Sequence, residues 1–300
     1  MNRPADLESN IFPPDDAIST CVAAALHEDI GPLGDVTASL VPREQITTAV
    51  FCAREQGVLA GTMCATEAFR QIEDILMRRG ESKRALDITW FATDGDTIVP
   101  GFQIGRISGP LRTILTGERT ALNFLSHLSG VATDTRKFVD VVSNVNPRCK
   151  IRDTRKTTPG LRALEKAAVR AGGGVNHRSD LSQGILVKDN HLTGITIGDA
   201  VAQALVKWPG IPIEVECDTV EQVSQTVLSG APLVLLDNMT PDQVQACAKI
   251  AHDAGVMVEV SGGVTLQSAG EYARAGADYI SVGRITHSAL ILDIGLDIES

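Results

Sequence analysis

The chain has 300 residues, 43% of them apolar, and a formal net charge of −10 at pH 7. That length suits one large or two modest domains with a substantial core, and the acidic balance excludes the extended basic surface that nucleic-acid backbones require. No apolar run approaches the roughly 18 residues needed to span a bilayer, and the first ten residues have no apolar signal core, so neither a membrane partner nor export is expected. The six cysteines form no Cys-x-x-Cys pair and the six histidines no His-Glu-x-x-His spacing. Buried thiols in a reducing cytoplasm are the expectation, rather than a structural zinc site.

In chain order, Asp15–Glu28 reads as a helix, Thr47–Arg54 as a strand and Thr62–Arg79 as an amphipathic helix. Short strands follow around Leu86–Phe91 and Gln103–Ser108, joined through Asp94-Gly-Asp-Thr-Ile-Val-Pro-Gly101. Swinging-arm domains that carry biotin or lipoate use a similar turn, but they need a lysine at a hairpin tip. None lies between Lys83 and Lys137, so the turn is read as structural. These elements make a small α+β sheet domain. A long helical stretch, Leu111–Val142, follows and carries Arg119.

The remainder has a regular rhythm. Apolar runs at Cys149–Ile151, Ile185–Val187, Ile211–Val215, Leu233–Leu236, Val256–Val260 and Tyr279–Val282 each end in polar or glycine residues. Helical segments separate them. One begins at Thr158-Pro159 and ends at Gly172–Gly174; another opens on the capping box Thr240-Pro-Asp-Gln243 and ends at Gly255. Strand and helix alternating in this way make parallel βα units. Six are visible where a complete barrel has eight, so a six-stranded barrel or an open parallel sheet fits the repeat.

Ligands of parallel α/β folds bind where the strands end. Between Arg148 and Lys188 the chain gathers ten Lys and Arg residues against three acids, a segment of +7 in a protein whose remainder is −17. Such a concentration points to a compact, highly charged anion. Arg155, Lys156, His177, Arg178 and Lys188 are its strand-end and loop cations: arginine forks match carboxylates, and lysine serves phosphates as a mobile point charge. Glu216 and Asp237 close consecutive strands, where hard oxygens suit Mg²⁺ held mostly through water, or a developing positive charge. Glu214 shares a strand face with Glu216, so one acid of this group is expected to face solvent or pair with a lysine. Ser261-Gly262-Gly263 and Gly283 bring backbone N–H groups close to a phosphate, with a helix beginning near Thr265. Composition and spacing thus imply one ligand bearing carboxylates and another bearing several phosphates on a sugar.

The motifs go further. Gly117-Glu-Arg-Thr-Ala-Leu-Asn-Phe-Leu-Ser-His-Leu-Ser-Gly130, Arg152-Asp-Thr-Arg-Lys-Thr-Thr-Pro-Gly-Leu-Arg162, Gly172-Gly-Gly-Val-Asn-His-Arg178, Val187-Lys-Asp-Asn-His191, Leu235-Leu-Asp-Asn-Met239, Ser261-Gly-Gly263 and Gly283-Arg-Ile-Thr-His-Ser288 resemble, in order, the quinolinate phosphoribosyltransferases. The resemblance implies an α+β sheet domain at 1–118, an incomplete six-stranded parallel α/β barrel at 119–288, and residues 289–300 packing back on the first domain. It implies a dimer or a multiple of dimers, with quinolinate and phosphoribosyl pyrophosphate as substrates and Mg²⁺ as cofactor. Arg119 would reach into the partner subunit's site and contact a quinolinate carboxylate. Arg155, His177 and Arg178 would hold the same dianion, with Thr154 in the substrate-binding set and Lys156 and Lys188 between quinolinate and pyrophosphate. Glu216 and Asp237 would face the ribose hydroxyls and the metal, and Ser261, Gly262, Gly263 and Gly283 would cradle the 5′-phosphate. Lys156, Lys188, Glu216 and Asp237 are the expected catalytic residues. Two departures from the family pattern stand out: Ala167, where an aromatic residue is usual, and Ser179-Asp180, where Leu-Gly is usual. A relative acting on another pyridine acid and a non-catalytic anion-binding protein remain as rivals.

Overall fold

A computed structural model describes residues 11–80 and 85–299. It divides into two compact units, one with an antiparallel sheet and one with a parallel sheet.

The described residues of the antiparallel unit lie within Asn10–Asp134, Thr158–Gly173 and Thr286–Ser300. Its elements begin with helix α1 (Asp15–Asp29), strand β1 (Ile46–Ala53), the short β2 (Gly57–Val58) and helix α2 (Thr62–Arg78). Strands β3 (Asp87–Trp90), β4 (Thr97–Ile98) and β5 (Gln103–Pro110) follow, and helix α3 (Leu111–Ser143) begins here. A four-stranded sheet has the order β12-β1-β5-β3, where β12 (Ile294–Ile298) returns from the end of the chain to pair antiparallel with β1. The Asp94 turn is structural, as expected. Its buried carboxylate accepts from Gly61 N at 2.8 Å, Thr62 N at 3.2 Å and Thr62 Oγ1 at 2.7 Å, satisfying the first turn of α2.

The parallel unit takes Thr135–Thr157 and Gly174–Ile285. Strands β6 (Lys150–Arg152), β7 (Ile185–Val187), β8 (Ile213–Cys217), β9 (Leu233–Asp237), β10 (Met257–Ser261) and β11 (Tyr279–Ser281) form one six-stranded sheet in the order β6-β11-β10-β9-β8-β7. Helix α4 (Arg162–Ala171) belongs to the antiparallel unit. Helices α5 (Ile197–Lys207), α6 (Val220–Ser229), α7 (Pro241–Asp253) and α8 (Leu266–Arg274) connect successive strands, and the short α9 (Arg284–His287) follows β11. Threonines 196, 219, 240 and 265 cap α5 to α8 with four consecutive capping boxes. Each such cap contributes about 1 kcal/mol.

Two boundaries move from their expected places. Helix α4 starts at Arg162 because Gly160 adopts φ +82 and Leu161 N closes a turn onto Thr158 O at 3.0 Å. Strand β8 starts at Ile213 because Pro212 has no N–H for the ladder, and only its carbonyl takes part, accepting from Ile185 N at 2.8 Å. Among the described residues no helix is long and apolar enough to cross a membrane.

Candidate active site

Laterally paired residues of a parallel sheet share a face, as do residues two apart along a strand. The register therefore divides the parallel sheet cleanly. One face carries Val187, Val215, Val234, Leu236, Val258, Val260, Ile280 and Ile151, all buried, with helices α5 to α8 packed against their strands. The other face carries Lys188 just past β7, Glu214 and Glu216 on β8, Asp237 on β9, Glu259 and Ser261 on β10, Ser281 on β11 and Arg152 on β6. Alternation alone thus gathers the strand-end residues on one surface.

Lys188 Nζ donates to Glu216 Oε2, and the lysine's own backbone N–H is held by His191 Nδ1 at 2.9 Å. Asp237 Oδ2 accepts from Asn238 Nδ2 at 2.7 Å. Asn238 adopts φ 55, a conformation that asparagine tolerates better than most residues, and its N–H donates to Ser261 O at 3.0 Å. Gly262, at φ +95, lies so close that a Cβ there would run into the Asn238 carboxamide, whereas Gly263 is exposed with open space around it. The loops after β9 and β10 are therefore locked together. Helix α8 opens just beyond, at Thr265, and Gly283 follows β11.

The cationic loops sit at the β6 edge and before β7. Thr154 Oγ1 accepts from Lys156 N at 3.0 Å; Arg155 is half-buried and Lys156 exposed. Arg178 donates from Nη1 to a carbonyl, Gly184 O, at 2.8 Å. Burial lowers its pKa, and the neighbouring positive charge of Arg155 lowers it further. Two guanidinium groups held near enough to repel each other form a place where a dianion is stabilised. Arg119 lies on α3 in the antiparallel unit, on the solvent-exposed side of that helix.

Beneath this surface lies a cluster that the strand-end reasoning missed. Glu259 is 0% exposed and Glu214 6%. His177 Nε2 is 2.8 Å from Glu214 Oε2 and 3.7 Å from Glu259 Oε1. Arg152 Nη1 and Ser281 Oγ donate to Glu259, and the Arg152 guanidinium lies 3.7 Å from the centre of the Tyr279 ring. Burial and the charge of Glu259 push the Glu214 carboxyl up to about 7. Burial would lower the His177 pKa, but the Glu214 hydrogen bond and the Glu259 charge outweigh it and raise it. Of the two acids on β8, then, Glu216 pairs with the lysine, and Glu214 is buried against a histidine rather than facing solvent. The available signal was period two: Glu259 precedes Ser261 as Glu214 precedes Glu216.

Two groups of donors could hold a metal. Glu216 and Asp237 each commit one oxygen to a neighbour, while Oε1 and Oδ1 take no hydrogen bond from the described residues. Hard oxygens on adjacent strands fit a Mg²⁺ ion that keeps most of its water. The three-ligand group His177, Glu214 and Glu259 fits a metal less well, because Arg152 and His177 already meet its carboxylates.

Comparison with known proteins agrees with this layout. Residues 35–129 match the quinolinate phosphoribosyl transferase N-terminal domain family, and residues 131–297 its C-terminal domain family. The chain is 39% identical over 287 residues to the carboxylating nicotinate-nucleotide pyrophosphorylase of Mycobacterium leprae, covering 94% of this chain and 98% of that one. It is 40% identical over 273 residues to a probable enzyme of the same name from Bacillus subtilis, covering 90% of each. The solved nicotinate-nucleotide pyrophosphorylase of Francisella tularensis superposes with a TM-score of 0.88 at 35% identity, covering 97% of this chain and 99% of the other.

Proposed function

The chain belongs to the quinolinate phosphoribosyl transferase family, and we propose on that premise that it transfers the phosphoribosyl group of phosphoribosyl pyrophosphate to quinolinate. Loss of the 2-carboxylate then yields nicotinate mononucleotide, pyrophosphate and CO₂, a step of de novo NAD synthesis. The observation that carries this reading is the polar face of the parallel sheet, where the strand-end residues Lys188, Glu216, Asp237 and Ser261 share one surface.

Arg155, His177 and Arg178 bind the two carboxylates of quinolinate, with Thr154 at the same loop, and Arg119 of the partner subunit completes the set in a homodimer. Ser261, Gly262, Gly263 and Gly283 bind the 5′-phosphate through backbone N–H groups. The main task is to hold two mutually repelling anions in reacting geometry, which a cationic pocket achieves electrostatically and entropically. As the pyridine nitrogen attacks the anomeric carbon, positive charge grows on the ribose ring and the carboxylates of Glu216 and Asp237 stabilise it. Lys156 and Lys188 meet the negative charge that accumulates on the departing pyrophosphate. Mg²⁺, held by Glu216 and Asp237 largely through water, would supply further neutralisation of that charge. Once substituted, the ring nitrogen is cationic and stabilises the electron pair left on C2 as the 2-carboxylate leaves as CO₂, and a proton taken up at C2 completes nicotinate mononucleotide. A reducing, cytoplasmic location is supported by six cysteines without a disulfide, four of them buried.

The test supplies Mg²⁺, phosphoribosyl pyrophosphate and carboxyl-labelled quinolinate, with nicotinate in parallel. Labelled CO₂ and nicotinate mononucleotide are expected in equal amounts from quinolinate alone. Mononucleotide from nicotinate only, or silence with both, overturns the reading.

A further inference from the structure

His177 is restrained at both ends. Its backbone N–H donates to Asp153 Oδ1 at 2.9 Å, and Asn176 Nδ2 donates to Asp153 Oδ2 at 2.5 Å, so one fully buried aspartate fixes the loop. Its ring meets Glu214 Oε2 and Glu259 Oε1 through the same nitrogen, Nε2. The two acids stand on β8 and β10, separated by β9, and Glu259 is itself held by Arg152 and Ser281. Glu214 and Glu259 thus bracket one imidazole nitrogen from two different strands. Glu214 Oε1 is buried without any hydrogen-bond partner, so this carboxylate is not arranged for stability alone; an unsatisfied buried acceptor is destabilising.

We propose that Glu214 and Glu259 are positioning residues: they fix the plane of the His177 ring and hold its Nε2 edge inward when the dicarboxylate arrives. The inference rests on the role proposed above for His177. Neither acid touches substrate in this scheme. Their effect passes through the ring, and it concerns the dicarboxylate rather than the sugar phosphate.

The test compares the whole protein with its Glu214→Gln and Glu259→Gln variants, which keep side-chain size and remove a charge. Steady-state kinetics read each substrate separately, and imidazole ¹⁵N spectra, assigned by the signal lost in His177→Asn, read the ring directly. Loss of a charged hydrogen bond of this kind is expected to raise the KM for quinolinate about 10- to 100-fold, with the KM for phosphoribosyl pyrophosphate unchanged within about twofold. The His177 Nε2 signal is expected to shift as that nitrogen loses its carboxylate partner. Equal rises in both KM values, or unaltered His177 signals, overturn the proposal and leave the acids as scaffold. Should Glu214→Gln fail to fold, Glu259→Gln carries the same readings. If the wild type turns over no quinolinate, the functional reading fails separately, and the ¹⁵N comparison still decides the positioning role.

Discussion

The two sheets of this molecule use the same alternation of side chains for opposite ends. In the antiparallel unit, the inward positions of β1 and β5 and the buried face of α2 are apolar, and aromatic rings lock them. Phe51 and Trp90 have centroids 4.8 Å apart, Phe51 and Phe69 meet edge-on at 6.1 Å, and Gly105 leaves room for the Trp90 ring. In the parallel unit, one face is as apolar as that, but the other sets lysine, arginine and carboxylates among residues such as Leu233, Leu235 and Tyr279. A face of paired and half-satisfied ions adds little to stability, because desolvation opposes the ionic attraction. The contrast teaches that the two properties can be damaged separately: the aromatic core holds the fold, and the ionic face holds the chemistry.

The largest effect expected is on the aromatic side. Phe69→Ala removes a ring that is 0% exposed and is expected to lower stability by about 3–5 kcal/mol. Denaturant unfolding measures this, while the folded fraction keeps its KM for quinolinate. Next, on the ionic face, Asp237→Asn is expected to reduce kcat by about 10²- to 10³-fold, or about 3–4 kcal/mol, with the unfolding midpoint nearly unmoved. A large midpoint shift in that variant would break the comparison. The smallest of the three sharpens it at a position where fold and site meet. Gly262→Ala must relieve a collision with Asn238 at positive φ, at a cost of about 1–3 kcal/mol. It should appear chiefly as a raised KM for phosphoribosyl pyrophosphate. An unchanged KM with reduced stability would assign that loop to the scaffold instead.

Much of this was legible from the chain. The run ends at Lys188, Glu216, Asp237 and Ser261 fall on one face because a strand's last inward side chain stands at the mouth of a parallel sheet whatever its neighbours are. The helix starts were readable at Thr240, as a capping box, and near Thr265, in a set that also includes Thr196 and Thr219. The buried ionic cluster was not legible. Arg152 and Glu259 are 107 residues apart, and His177 and Glu214 are 37 apart. Their meeting depends on strand order, which local periodicity does not encode. Glu214 in particular carries the same local pattern as Glu216, yet depth along the strand buries one and leaves the other half-exposed. The start of α4 was misplaced for a smaller reason: Thr158-Pro159 has the composition of a helix start, but Gly160 turns left-handed before the helix can begin.

The pairing of β12 with β1 also sets a timetable. Ala53 and Ile294 are register partners, so one edge of β1 leaves the ribosome well before its neighbour exists. With synthesis at about 5–20 residues per second, the wait is on the order of 10–50 seconds. For that interval the nascent chain presents an open strand edge, Thr48 to Ala53, ready to pair with another chain.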